Sequence, residues 1–306
     1  MKNRTFKDWI IATRPWSFSA STIGILAPMA FFYWFLQPDM KLCTINLDWN
    51  AAWLCLPMIL LFHAAGNLLG DYADHIHGVD SRNDYNGVLS MKSGKFTPKE
   101  IKLYGWSLIL AGTLLGLIIT LMTSNWNLLW FGVTGAFLTV IYYWLKYHAM
   151  GDLDILILFA MLPALGMGFL LTGQMFWPIL YICLPYGLQT VAILHANNTR
   201  DICTDKAAGI HTMNHFLGGK VAQWLYVVEI SVPFVLIIIY AILGILPYFA
   251  LLPFITLPLA IKLGKVMLSA PVNSDLPIAT LDQQQAKLQL SFGALFCLGL
   301  LISAFL

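Results

Sequence analysis

The sequence predicts an all-α integral membrane protein, nine transmembrane helices around a central cavity with the N-terminus in the cytoplasm. Three observations lead there. Of the 306 residues, 59% are hydrophobic and only 10% charged, where a soluble domain carries about 25% charged residues; the mean hydropathy is +0.74. Nine stretches reach the roughly 20 apolar residues that a hydrocarbon core of about 30 Å requires. When those nine are threaded through a bilayer, all but one of the 17 Lys and Arg fall on one side, which is the positive-inside pattern.

The elements follow in order. A basic start (Lys2, Arg4, Lys7, Arg14) leads into 17–36, long enough to span and without a small-residue cleavage site, so no cleavable signal peptide is expected. The second span, 51–70, is followed by Arg82, Lys92, Lys95, Lys99 and Lys102. Spans 101–122 and 126–145 are joined by a very short connection, and Lys146 follows them. Spans 153–172 and 176–195 come next, with Arg200, Lys206 and Lys220 after them. Then 223–243 and 247–268 precede a loop near Lys262, Lys265 and Lys287, and 288–306 is the ninth span. Lys41 alone lies outside. With no water in the bilayer core the backbone must satisfy itself, so these stretches are helices; none shows the alternation of a membrane barrel. The arrangement reads as one domain, 1–306, built of two related four-helix halves (about 17–145 and 153–268) plus the ninth helix. The net charge of +2 points to no nucleic-acid partner.

Two acidic clusters stand where apolar segments run out. The first reads Asn67-Leu-Leu-Gly-Asp71-Tyr-Ala-Asp74, with Asp80 and Asp84 beyond; the second reads Asn197-Asn198-Thr-Arg200-Asp201-Ile-Cys-Thr-Asp205-Lys206. Helical residues three or four apart share a face, so Asp71/Asp74 and Asp201/Asp205 each present paired carboxylates. Unpaired, such groups are costly beside hydrocarbon. An isolated DxxxD at a helix end is commonly a cap or a solvated face. Two of them on one membrane side, both flanked by Asn, point instead to a divalent-cation site. Mg²⁺ takes oxygen ligands and commonly joins carboxylates to substrate phosphates, and Arg200, Lys206 and Lys146 are placed to hold the remaining phosphate oxygens. The loops 71–100 and 196–222 are long and polar, whereas the connections on the other face are minimal.

Other polar residues read more plainly. Asp154 is expected to complement a helix N-terminus, and Asp152 fits either that role or the site. Glu229 is expected near a helix end or in a structural pair, and His63 in an interhelical hydrogen bond. His195, just before the second cluster, is the more suggestive histidine. Tyr72, Tyr142 and Tyr143 stand near the proposed site, where aromatic faces stabilise cations. The five cysteines show no metal-ligand spacing.

"RPWSF" near the N-terminus, "NLLGDYADHIHGVD" after the second span, "GDLDILILFA" opening the fifth and "NNTRDICTDKAAGIHT" after the sixth together resemble the UbiA superfamily of intramembrane prenyltransferases. The second acidic motif is most similar to the branch that acts on 1,4-dihydroxy-2-naphthoate in menaquinone biosynthesis. The resemblance implies Mg²⁺-dependent transfer of a polyprenyl group from its diphosphate to an aromatic acceptor. Carried onto this chain, Asp71, Asp74, Asp201 and Asp205 would hold the metal. Asn67 and Asn198 would support them, Lys146 and Arg200 would contact diphosphate, and Tyr142 would line the prenyl pocket. The implied setting is a bacterial inner membrane, with the site facing the cytoplasm. Two positions depart from the family pattern: Gly70 stands where Asn usually precedes the leading Asp, and Leu89 where an Arg is frequent, with Lys92 nearby as a substitute. The competing functions are transfer to another acceptor and non-catalytic carriage of a lipid diphosphate by an inactive paralogue. A carrier between two faces fits poorly with polar groups crowded on one.

Overall fold

The computed structural model describes residues 4–37, 48–78, 91, 94–207, 209–272 and 278–306. Asp80, Arg82, Asp84, Leu89 and Lys92 lie outside them, as do Lys41 and Cys43. Among the described residues, nine helices are long and apolar enough to cross a membrane: Pro15–Phe35, Trp49–Ile76, Pro98–Thr123, Leu128–Tyr147, Gly151–Thr172, Ile179–Arg200, Gly219–Ile242, Tyr248–Ser269 and Leu281–Phe305. They are called the first to ninth spans below. A short helix, Phe6–Ala12, precedes them, and two more, Ile202–Ala207 and Met213–Leu217, link the sixth span to the seventh. No strand occurs among the described residues.

Local chemistry sets several of the boundaries. The third span opens on Pro98 at its first turn, behind a reciprocal cap in which the Glu100 carboxylate accepts from the Thr97 backbone N–H (2.8 Å) and Thr97 Oγ1 accepts from the Glu100 N–H (3.3 Å). The fifth span ends on Gly173 at φ +70°, a left-handed cap that a residue without Cβ adopts freely. Three spans differ from the hydropathy reading: the second and sixth continue to Ile76 and Arg200 rather than stopping at 70 and 195, and the ninth starts at Leu281 rather than 288, which puts Lys287 in the helix and not in a loop. Asp71 and Asp74 therefore sit on a helix, not in the loop after it. A hydropathy window ends at the first charges, whereas the helix continues because neighbouring helices shield its last turns.

The fifth span is irregular. It runs as α-helix to Leu156, widens to a π-turn over Ile157–Met161 and resumes from Leu162. Pro163 has no N–H to offer the Phe159 carbonyl one turn earlier. That carbonyl lies only 2.3 Å from where a Cβ on Gly24 of the first span would stand, so no larger residue fits there without displacement. The bulge also sets the Phe159 ring against His63, centroids 4.6 Å apart.

A buried polar ladder holds the ninth span in register. Gln285 Nε2 donates to Gln189 Oε1 (2.8 Å), Tyr226 O–H donates to Gln285 Oε1 (2.9 Å), and Gln289 Nε2 donates to Thr190 Oγ1 (3.2 Å). Bonds of this kind between helices in lipid contribute about 0.6–2 kcal/mol each, and together they fix the sixth, seventh and ninth spans against one another. The N-terminal helix is tied down by charge: Arg4 pairs with Glu100 at 2.6 Å and Asp8 with Lys95. The Lys95 hydrogen bond holds the Asp8 carboxyl at about 2.

The orientation read from the basic residues is testable at Cys203, which is exposed next to the second acidic pair, whereas Cys55, Cys183 and Cys297 are buried. In a variant keeping only Cys203, an impermeant maleimide should react from the cytoplasmic side alone. A single cysteine at Asn125, between the third and fourth spans, should react only from outside. Same-side labelling of the two positions would refute the threading.

Candidate active site

The two acidic pairs meet at one end of the bundle. Asp71 is buried on the second span and pairs with Arg14, and Asp74, one turn on, accepts from Tyr147 O–H. Lys146, at the end of the fourth span, brings its Nζ within 3.9 Å of Asp74 Oδ2. The same lysine interacts electrostatically with Asp201 and Asp205 of the second pair. Burial pushes the Asp205 carboxyl up to about 7; Asp201 and Asp74 add to the rise, while Lys146 and Arg200 oppose it. Carboxylates more than a hundred residues apart in sequence thus share one field, with Lys146 between them.

Arg200 lies among carboxylates of two spans. Its guanidinium grips Asp201 bidentately (Nε–Oδ1 and Nη2–Oδ2, both 2.7 Å), and also donates to Asp282 of the ninth span (3.0 Å), to the Ala279 carbonyl (3.3 Å) and to Asn197. Its geometry is that of a bracket fixing Asp201. Lys206 is exposed at the rim. Asn67 donates through Nδ2 to the Thr13 carbonyl (2.9 Å) and to Ser17 Oγ (3.1 Å), which leaves its amide oxygen as the group open to a cation. Asn198 is 2% exposed, and its Oδ1 has no hydrogen-bond partner among the described residues; neither has Asp205 Oδ2. Buried oxygens without donors suit a cation. A divalent metal therefore fits the donor set of Asp71, Asp74, Asp201, Asp205 and the two amide oxygens. Gly70 faces open space, with no heavy atom within 4 Å of an ideal Cβ, so the missing Asn leaves room rather than a packing need.

Beneath this polar end lies a cavity of about 330 Å³ with a mainly apolar wall, lined by Phe62, Phe131, Phe159 and Leu162 among others. Tyr142 and Asn67 line it too, as does His63, which bonds Ser17 Oγ (3.1 Å) and Ser21 Oγ (2.9 Å) as an interhelical histidine should. Tyr142 joins the two environments, since its phenol feels the charges of Lys146 and Asp74.

Arg14, Tyr147 and Asp282 were not singled out as site residues from sequence. The signal for Arg14 lay in the RPWSF stretch. Its backbone sits at φ 55°, ψ 58° just before Pro15, a left-handed conformation that L-residues rarely adopt, and it is this turn that sends the guanidinium to Asp71. Tyr147 and Asp282 carry no local signal. Asp154 lies in the first turn of the fifth span, where it complements the helix N-terminus as expected; it is 1% exposed, and neither carboxylate oxygen has a hydrogen-bond partner among the described residues. Glu229 is in a structural pair, with His195 at 3.1 Å.

A polytopic helical bundle with paired carboxylates and a lysine over a membrane-embedded apolar cavity is built to hold an amphiphile by a charged head and a hydrocarbon tail. Residues 25–275 match the UbiA prenyltransferase family. The chain is 32% identical over 300 residues to UbiA prenyltransferase domain-containing protein 1 of Danio rerio, covering 96% of this chain and 84% of that protein. It is 32% identical over 298 residues to the Drosophila melanogaster homolog, with 95% and 78% covered. Among solved structures, a UbiA homolog from Aeropyrum pernix K1 superposes with a TM-score of 0.65 at 16% identity, over 92% of this chain and 97% of that one. A UbiA homolog from Archaeoglobus fulgidus, bound to GPP and Mg²⁺, gives 0.60 at 17% identity, over 94% and 99%. The chain belongs to the UbiA prenyltransferase family, and it is a prenyltransferase.

Proposed function

We propose that this prenyltransferase moves a polyprenyl group from a polyprenyl diphosphate onto an aromatic acceptor, 1,4-dihydroxy-2-naphthoate, as in menaquinone biosynthesis, and that it depends on Mg²⁺. One observation carries the reading: carboxylates from both acidic pairs, Asp74 with Asp201 and Asp205, converge on Lys146 at the polar end of an apolar cavity. The fulgidus homolog seen with GPP and Mg²⁺ supports the donor class, and the second acidic motif supports the acceptor. The orientation read from the basic residues puts the site on the cytoplasmic side. The sequence reading took the membrane for a bacterial inner one; the relatives quoted above come from animals.

The residues divide the work. Asp71, Asp74, Asp201 and Asp205, with Asn67 and Asn198, would hold the metal, which when bound neutralises the diphosphate and stabilises its charge as it departs. Lys146 adds a point charge to the same oxygens, and Lys206 stands at the rim. The cavity wall receives the prenyl tail and keeps water from C1. The C–O bond breaks with its electron pair leaving on the diphosphate, and the Tyr142 ring faces the resulting allylic cation. An electron-rich ring carbon of the acceptor then forms the new C–C bond, and the carboxylate on that carbon leaves as carbon dioxide.

The test is incubation of purified protein with Mg²⁺, prenyl diphosphates of several lengths and a panel of aromatic acceptors, read by mass spectrometry. Prenylated naphthoquinol is expected. Prenylation of 4-hydroxybenzoate but never of the naphthoate would overturn the acceptor, and diphosphate binding without any product would favour the carrier.

The Asp205 carboxyl gives a pH prediction. Its folded value of about 7 lies above the ordinary 3.8, so between those values the folded chain holds a proton that the unfolded chain has lost. In EDTA, stability should therefore fall as pH rises from about 4 to about 7. A cation needs the deprotonated carboxylate, so the stabilisation by Mg²⁺ should grow over the same range. Thermal unfolding at about pH 5.5 and about pH 8, with and without Mg²⁺, reads both trends; a Mg²⁺ effect larger at the lower pH would contradict them.

A further inference from the structure

A second cluster lies behind the acidic pairs and takes no part in the reaction above. Asp152 from the first turn of the fifth span, His195 from the sixth and Glu229 from the seventh converge in the protein interior, where all three are buried. His195 is fully enclosed. Its Nε2 lies 2.9 Å from the Ala222 carbonyl oxygen, which can only accept, so Nε2 carries a hydrogen. Nδ1 then faces two carboxylates at once, Glu229 Oε1 at 3.1 Å and Asp152 Oδ2 at 3.6 Å. Something positive must lie among the three.

A proton on Nδ1 would leave one net negative charge between the helices, and would leave Asp152 Oδ1 and Glu229 Oε2 still without hydrogen-bond partners among the described residues. A divalent cation neutralises both carboxylates and gives those oxygens a ligand role. His195 Nδ1 stands 3.1 and 3.6 Å from the two carboxylate oxygens, near the ligand–ligand spacing of about 3.3–3.6 Å around one tetrahedral ion with metal–ligand distances of about 2.0–2.2 Å. A metal-bound imidazole that donates its other N–H to a backbone carbonyl is the usual outer-shell arrangement. An imidazole among the donors favours a transition metal over Mg²⁺, which takes oxygen.

We propose that Asp152, His195 and Glu229 form a separate site for a divalent transition cation, with Zn²⁺ as its occupant. It pins the fifth, sixth and seventh spans together and positions the second acidic motif. The His195 carbonyl accepts from Thr199 Oγ1 (2.8 Å) and Asn214 Nδ2 (3.1 Å), and Asn214 in turn bonds Thr199 at 2.6 Å. Fixing the ring therefore fixes the helical turn that carries Asn198 and leads to Asp201. The inference needs no particular prenyl donor or acceptor.

The experiment is elemental analysis of tag-free protein grown with zinc, purified in detergent and dialysed against EDTA. About one equivalent of zinc per chain should remain in the wild type and equally in a D201N/D205N variant, which lacks the acidic pair of the active site. His195→Ala and Glu229→Gln should lose it. X-ray absorption of the wild-type protein, which involves no variant, should show nitrogen and oxygen ligands with scattering from a single imidazole. Three results would overturn the proposal: less than about a tenth of an equivalent in the wild type with no uptake after stripping, zinc lost from D201N/D205N but kept in E229Q, or a spectrum with several imidazoles or sulfur.

Discussion

Asp71→Asn or Asp205→Asn should lower prenyl transfer by at least about a thousandfold, roughly 4 kcal/mol of transition-state stabilisation, while the protein stays folded. Both changes keep the side-chain shape, so packing is conserved while the charge and one potential metal ligand go, together with the Arg14 ion pair in the case of Asp71. Asp205 carries the larger signal, because an amide in its place removes a proton-sensitive carboxyl that burial already holds at about 7. The Asp205→Asn variant should therefore lose part of the pH dependence of stability as well as turnover, and Mg²⁺ should raise its unfolding temperature less than that of the wild type. Activity measured with excess EDTA should vanish for the wild type too. Turnover that survives in EDTA, or in a folded double variant, would refute the assignment of these carboxylates.

Arg200→Ala should be the next most damaging change, at about a hundredfold in kcat/KM with a stability loss of about 3–5 kcal/mol, the range for breaking one side of a buried ion pair. Arg200 is 4% exposed and Asp201 5%, so removing the guanidinium strands a carboxylate among helices. Lysine should rescue little, because a single ammonium cannot reproduce the fork that meets both Asp201 oxygens. Asp282→Asn tests the bracket from its other side, and a smaller loss is expected because Asp201 keeps both of its bonds from Arg200. If Arg200→Ala raised KM for the prenyl diphosphate tenfold or more with stability unchanged, Arg200 would be a substrate contact rather than a bracket.

Much of this molecule was legible in its sequence. Among the described residues nine spans appear near the stretches read from hydropathy, and members of both acidic pairs share the field of Lys146. What stayed hidden has physical reasons. The ends of the second and sixth spans were set short because hydropathy registers the first charge, not the neighbours that shield it. Tyr147 on Asp74 and Asp282 on Arg200 are contacts between distant segments, and neither residue has a spacing that announces it. The three residues behind the site arrive one each from three helices, so no motif joins them. Arg14 was visible only as part of a stretch whose meaning depends on the left-handed turn before Pro15.

The bond between Arg200 and Asp282 bears on how the protein is made. The ninth helix is made after the sixth and seventh, yet it supplies Asp282 to Arg200, and Gln285 and Gln289 to the ladder that holds those two spans. Until it enters the bilayer, Gln189 and Thr190 lack these partners and Arg200 lacks Asp282. A nascent chain arrested before residue 281 would thus carry both acidic pairs without the finished site, and biogenesis itself would keep catalysis switched off until the ninth helix is in place.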